Sequence, residues 1–332
     1  MPELRQNLIT RDWVIIASER ANRPNEFKRT TERVSLPQYQ PDCPFCPGNE
    51  HLTGKELGRI GSSERWTVRA MPNKFPALSS EGERVRKARG IFRSMSGVGI
   101  HEVIVEHPRH DLTIALLSDA EVTNILQMYC MRYREIRHDQ RVEAIVIFKN
   151  HGASAGTSLY HPHSQIAATP VVPSQIRTRI DEAIRYFDDH GECLFCCTLR
   201  EELASGDRII EEGDHFVAFQ PYAALSPFHT WIFPRRHMSS FDDISDDETP
   251  DLARILRRML ARFYYGLNDP DYNYIIRSVP TDSKRTDYFH WYLTIVPRVT
   301  RTAGFELGSG MFINTALPEE SAKFLRGIKI PK

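Results

Sequence analysis

The run His161-Pro162-His163-Ser164-Gln165 places two imidazoles and an amide at alternate positions. A histidine can attack phosphorus and carry a nucleotidyl group covalently, which splits a transfer between two phosphates into two displacements. In a strand, alternate side chains share a face, so His161, His163 and Gln165 point the same way. Pro162 points away and donates no hydrogen bond, as suits a strand edge or bulge. His163 is therefore the candidate nucleophile, and Gln165 a candidate donor to the phosphoryl oxygens. Just upstream, the small residues of Gly152-Ala153-Ser154-Ala155-Gly156-Thr157-Ser158 would let backbone N–H groups approach a phosphate. Gly152, Ser154, Gly156 and Ser158 are its candidate binding residues.

Four of the six cysteines form two Cys-x-x-Cys pairs, Cys43/Cys46 and Cys193/Cys196. With later histidines they make two Cys2His2 sets in the same order. The first is Cys43, Cys46, His110 and His161; the second is Cys193, Cys196, His237 and His290. Thiolate and imidazole favour zinc, so two zinc ions per chain are expected. Four protein ligands close each site, giving a structural metal that activates no water. Two blander readings compete. A redox motif would sit at a helix start after a strand, whereas Pro41, Pro44, Pro47 and Gly48 shape a knuckle-like loop. The other is a set of buried thiols and core histidines, which repetition of the whole set disfavours. Cys130 reads as a buried thiol, and Cys197 as no ligand.

The elements that must position these residues also repeat. Glu102–Glu106 closes on Pro108-Arg109-His110, and Thr230–Phe233 closes on Pro234-Arg235-Arg236-His237. Ser118-x-x-Glu121 and Ser245-x-x-Glu248 are capping boxes, each opening an apolar-periodic helix. A β-rich run follows each helix, Ala144–Phe148 and Tyr272–Ile276, and then a β run led by histidine. His110 and His161 are 51 positions apart; His237 and His290 are 53 apart. The expected fold is α+β: duplicated domains of antiparallel strands, each with one long helix, over residues 1–172 and 173–332. Pro173–His190 reads as a connecting helix and Gly82–Ser96 as a mobile loop. Tyr292 stands where His163 stands, so one nucleophile per chain is expected, in the first half.

The 332 residues, 41% apolar, suffice for two domains. The 26% charged residues balance to a net charge of zero, which argues against nucleic acid or an anionic membrane as partner. No apolar run spans a bilayer and Met1–Leu8 has no signal-peptide core, so a cytoplasmic location is expected.

These residues resemble the galactose-1-phosphate uridylyltransferase family of the histidine-triad superfamily over nearly the whole chain. The likeness rests on Arg20-Ala21-Asn22-Arg23-Pro24, Cys43–Gly48, Pro72–Leu78, Gly152–Ser158 and His161–Gln165. It implies sugar-nucleotide chemistry of galactose metabolism in a homodimer whose substrate contacts cross the interface. His163 becomes the uridylyl-histidine, with Gln165 and Ser158 on the phosphates. Arg20, Arg23 and Asn73 would contact the nucleotide, and Glu306 the hexose hydroxyls. The substrates implied are a nucleoside diphosphate sugar and a hexose 1-phosphate. Ser164 stands where many members carry glycine. With Thr302–Asn314 and the clean second Cys2His2 set, it points to a divergent branch resembling ADP-glucose phosphorylase, which moves an adenylyl group to phosphate. Uracil and adenine, and the acceptor, stay open at this point. A non-catalytic zinc-stapled nucleotide-binding protein is the reading from another class.

Overall fold

A computed structural model describes residues 1–17, 24–30, 33, 35–62, 64–283 and 286–331. Strands β1 (Glu3–Gln6) and β2 (Trp13–Ile16) open the chain, followed by β3 (Gly58–Gly61), β4 (Trp66–Pro72), β5 (Arg86–Arg89), β6 (Phe92–Met95) and β7 (Ile100–Val105). Helix α1 (Asp119–Ile136) leads to β8 (Ala144–His151) and β9 (His163–Thr169). Helices α2 (Ser174–His190) and α3 (Leu194–Ser205) connect to β10 (Ile209–Glu212), β11 (Phe216–Phe219) and β12 (Thr230–Pro234). The chain then forms α4 (Thr249–Gly266), β13 (Tyr272–Arg277), β14 (Tyr292–Pro297), α5 (Gly304–Ser309), β15 (Phe312–Asn314) and α6 (Pro318–Gly327).

Ten strands form one sheet in the order β10-β11-β12-β14-β13-β8-β9-β7-β4-β3. Outward from the central antiparallel pair β8–β13, each half repeats the same order of strands. The expected α+β class and antiparallel pairing hold. What the repeat did not disclose is that the two half-sheets join edge to edge, which removes two exposed edges. The registers match as well. His163 lies opposite Val105 and Gln165 opposite Phe148, while Thr294 lies opposite Ile275 and Tyr292 opposite Arg277.

Both capping boxes form. Glu121 N–H donates to Ser118 Oγ (3.3 Å) and Ser118 N–H returns to the Glu121 carboxylate (2.7 Å). Glu248 N–H and Ser245 N–H exchange the same pair of bonds, one turn before α4 proper begins. The apolar faces of the two helices, including Ile125, Leu126 and Tyr129 on α1 and Ile255, Leu256 and Met259 on α4, cover one face of the sheet in a shared core. The opposite face, carrying Gln165, Phe148 and Ile275, stays open to cavities. The connecting helix is α2, ended by Gly191 in the left-handed region (φ 72°).

Residues 82–96 depart from expectation. They fold into the β5–β6 hairpin, turning at Gly90 (φ 60°), and Val85 N–H donates to Ser96 Oγ (2.9 Å). Both faces of the hairpin are largely exposed, so no apolar alternation marked the strands in the sequence.

Candidate active site and metal centres

Cys43 and Cys46 sit in a turn-rich knuckle, whereas Cys193 and Cys196 open α3. Each pair meets its two histidines, and the four ligand atoms of each set lie within 4.8 Å of one another. In the first set the sulfurs stand 3.5–3.7 Å from Nδ1 of His161, and Cys46 Sγ is 3.6 Å from Nδ1 of His110. In the second, Cys196 Sγ is 3.3 Å from Nδ1 of His237 and 3.4 Å from Nδ1 of His290. A tetrahedral zinc with its usual bond lengths needs ligand separations of about 3.3–3.8 Å. His161 Nε2 donates to the His107 carbonyl (2.8 Å), and His237 Nε2 to the Thr286 carbonyl (3.0 Å). Each bond fixes the tautomer that turns an Nδ1 lone pair toward the sulfurs, as metal-bound histidines require. Burial holds the His161 pKa down to about 3, which keeps that lone pair free. Both groups can hold a metal ion.

Strand β9 begins at His163, so His161 lies just before the ladder, in the segment whose Pro162 carbonyl accepts from Glu106 N–H (3.0 Å). Nδ1 of His163 is 2.8 Å from the His161 carbonyl oxygen. A carbonyl only accepts, so Nδ1 carries the proton and Nε2 keeps a lone pair. Burial lowers the His163 pKa, keeping the ring neutral, and nearby Lys149 acts in the same direction. The Phe45 ring, between the two knuckle cysteines, lies 5.4 Å from the His163 ring and 6.0 Å from that of His161. The metal knuckle thus touches the candidate nucleophile directly.

His163 and Gln165 line one cavity of about 520 Å³ with Phe45, Asn73, Phe75 and Ser158. The polarity of Gln165 is fixed there by bonds the sequence did not suggest. Ala77 N–H donates to Nδ1 of His101 (3.0 Å), so the His101 proton sits on Nε2 and goes to Gln165 Oε1 (2.8 Å). Phe75 N–H takes Asn73 Oδ1 (2.9 Å), turning Asn73 Nδ2 to the same Gln165 oxygen (3.3 Å). With Oε1 doubly bonded, the Gln165 amide nitrogen has no partner among the described residues. Asn73, expected on the nucleotide, also orients Gln165.

Beneath β9 lies a second unforeseen feature. Lys149 Nζ donates to Glu106 (2.5 Å) and to the His163 carbonyl (3.0 Å). Tyr129 donates to Ser164 Oγ (2.7 Å) and adjoins Tyr274 and Glu106. All of these side chains are buried. The only trace in the sequence was a charged residue directly after each of two apolar runs, Glu106 after Val103–Val105 and Lys149 after Ala144–Phe148.

The remaining candidates separate. Ser158 lies at the His163 cavity. Ser154 is exposed, and its N–H already donates to the Asp271 carboxylate (2.6 Å). Gly152 and Gly156 both have φ near +85° to +90° (84° and 89°), and a Cβ on Gly152 would stand 2.0 Å from Asp271 Oδ1. An acidic side chain therefore fills the turn at Gly152 and Ser154, where a phosphate was expected. Glu306 caps Ala303 N–H (2.9 Å) and lines a different cavity, of about 840 Å³, on the open face. Arg20 and Arg23 lie outside the described residues.

Comparison with known proteins agrees with this geometry. Residues 1–173 match the galactose-1-phosphate uridyl transferase N-terminal domain, and residues 179–306 match its C-terminal domain. The chain belongs to the galactose-1-phosphate uridyl transferase family. It is 37% identical to an ADP-glucose phosphorylase of Arabidopsis thaliana, over 99% of this chain and 93% of the relative. It is 28% identical to a galactose-1-phosphate uridylyltransferase of Thermotoga maritima, over 99% of each. Among solved structures, an Arabidopsis thaliana ADP-glucose phosphorylase with bound ADP-glucose superposes with a TM-score of 0.83 at 34% identity, covering 99% of this chain and all of that one. A uridylyltransferase gives 0.75 at 26%, covering 98% and 97%. The nucleotidyltransferase class expected from the sequence stands on these matches. Among the described residues no helix is long and apolar enough to cross a membrane.

Proposed function

We propose that this chain moves a nucleoside monophosphate between a nucleoside diphosphate sugar and a hexose 1-phosphate, carrying it on Nε2 of His163. The observation that carries this reading is the 2.8 Å contact from His163 Nδ1 to the His161 carbonyl, which leaves a neutral ring with its Nε2 lone pair free. Nε2 attacks the α-phosphorus of the donor, forming a P–N bond as the P–O bond to the β-phosphate breaks; hexose 1-phosphate leaves with the electron pair. A phosphate oxygen of the acceptor then attacks the same phosphorus, and His163 leaves with its lone pair restored. The Gln165 amide N–H pair stabilises charge on the transferring phosphoryl group in both steps. Exposure of the protein to radiolabelled UDP-glucose or ADP-glucose should label it, and His163→Ala should abolish that label. A His163→Ala variant that labels normally sinks the reading.

A second reading shares the first step and hands the nucleotide to inorganic phosphate. The higher identity to the Arabidopsis ADP-glucose phosphorylase (37% against 28%) favours it, as does the superposition (0.83 against 0.75). Ser164, held by Tyr129, agrees with that branch. Activity that needs phosphate and ignores galactose 1-phosphate decides for this reading; dependence on galactose 1-phosphate decides against it.

The chemistry of the donor sets supports zinc in both Cys2His2 groups, held by Cys43, Cys46, His110 and His161 and by Cys193, Cys196, His237 and His290. When bound there, zinc supplies cross-linking of distant segments and no catalytic water. We assign the halves to residues 1–172 and 173–332, and infer a cytoplasmic homodimer. In the dimer Glu306 of one chain serves the hexose at the other chain's His163 cavity, because within one chain the two line separate cavities.

A further inference from the structure

The second half keeps the frame of the His163 site without its nucleophile, and the residues that replaced it have their own chemistry. By strand register, Tyr292 occupies the place of His163 and Thr294 that of Gln165. Continuing the β8–β9 register puts Asn150 across from His163; the residue across from Tyr292 is Arg277. Asn150 is neutral, whereas Arg277 brings a cation into the wall of the 840 Å³ cavity. Arg179, from α2, enters the same wall. Its Nε donates to the Tyr292 hydroxyl (3.1 Å) and its Nη1 to the Gln175 carbonyl (2.6 Å). Tyr292 therefore stands between two guanidinium groups.

Asp12 and Glu306 line the same cavity, but among the described residues neither forms an ion pair with these guanidinium groups. Among the described residues Arg277 makes no hydrogen bond and no ion pair, and Arg179 makes no ion pair. Two partly buried like charges repel each other and lower the stability of the protein unless an anion enters. Burial and Arg179 both push the Arg277 pKa down, as expected of a cation awaiting a counter-charge. The two bonds of Arg179 fix its plane before any ligand arrives, and Arg277 keeps its whole donor set. Guanidinium forks suit phosphate oxygens in bidentate geometry. Thr178 and Ser226 add hydroxyls to the same wall.

We propose that Arg179 and Arg277 form a second oxyanion site, distinct from the His163 cavity, that binds a phosphate group, either the free ion or a phosphate monoester. The site does not depend on nucleotide chemistry at His163. It uses the half of the duplication that has no nucleophile to bind an anion, at the position where the first half performs transfer.

Equilibrium dialysis with radiolabelled inorganic phosphate tests it on the His163→Ala protein, which cannot pass the nucleotide to phosphate, with saturating nucleoside diphosphate sugar present. That protein should retain one phosphate per chain under that condition. Arg277→Met should bind it at least tenfold more weakly, about 1.4 kcal/mol, and should be no less stable to urea without phosphate. Arg179→Gln should weaken it likewise, so a folding defect in one variant cannot mimic the result. Displacement of the bound ion by glucose 1-phosphate at lower concentration than by phosphate identifies the monoester as ligand; the reverse order identifies the free ion. No phosphate retained by the His163→Ala protein, or undiminished binding when Arg277→Met and Arg179→Gln are each added to it, overturns the proposal.

Discussion

Replacing Lys149 by methionine tests how the nucleophile is held. Lys149 and Glu106 are 2% and 1% exposed, and their ion pair measures 2.5 Å. Lys149→Met leaves the Glu106 carboxylate buried with the Tyr274 hydroxyl at 3.4 Å as donor, because Tyr129, at 3.2 Å, gives its one proton to Ser164. Stranding one charge of a buried pair costs about 3–5 kcal/mol. Glu106→Gln, which strands the ammonium instead, should cost a comparable amount. The double variant buries no charge, so its cost should fall short of the sum of the singles by about 2 kcal/mol. Each variant carrying Lys149→Met also loses the 3.0 Å bond to the His163 carbonyl. In those variants formation of the nucleotidyl-enzyme should slow about tenfold or more, as expected when an attacking group is held less well. Urea unfolding of the metal-loaded protein, extrapolated linearly, gives the stabilities; quenched-flow labelling gives the rate. Costs that add within about 0.5 kcal/mol would show that the two charges do not act as a unit. An unchanged labelling rate would show that this bond does not position His163.

Elemental analysis should find about two zinc ions per chain, and a chelator should lower the thermal midpoint; a chelator-resistant midpoint would remove the stapling role. His229 is fully enclosed, with Nε2 on Thr294 Oγ (2.7 Å), and burial pushes its pKa down to about 3. Its neutral form is favoured by folding, so its contribution is complete above the unfolded value near 6.5 and is lost as pH falls toward 3, by up to about 1.4 kcal/mol per unit. His229→Gln should flatten the urea stability profile between pH 7 and 5, and an unaltered slope would contradict this. Gly152→Ala drives a Cβ into Asp271 at 2.0 Å, whereas Gly156→Ala meets only Asn150 Nδ2 at 3.9 Å. Both pay backbone strain at positive φ, so Gly152→Ala should be the worse by about 1 kcal/mol or more; equal thermal midpoints would deny Asp271 its place in that turn.

The sequence by itself determined the duplication, the two ligand sets and the single candidate nucleophile. Each is written in residue type and spacing: Cys-x-x-Cys with two later histidines, a capping box eight residues past each first histidine, and tyrosine in place of His163. Helix and strand periodicity carried the rest of the fold class. The β5–β6 hairpin escaped because exposed strands bear no apolar alternation.

Only the tertiary structure decided how these parts are used. Asn73, expected on the nucleotide, also supports Gln165, because the partners of an amide are set by groups that meet in space: Gln165 is 92 residues away along the chain. Ser154 lost its free N–H to Asp271, 117 residues distant. The pair Lys149–Glu106 and the meeting of Arg179 with Arg277 at Tyr292 depend on strand register and helix placement, which no local pattern records. Spacing along the chain sets which side chains share a face; the partner on the facing element sets their charge balance, tautomer and aim.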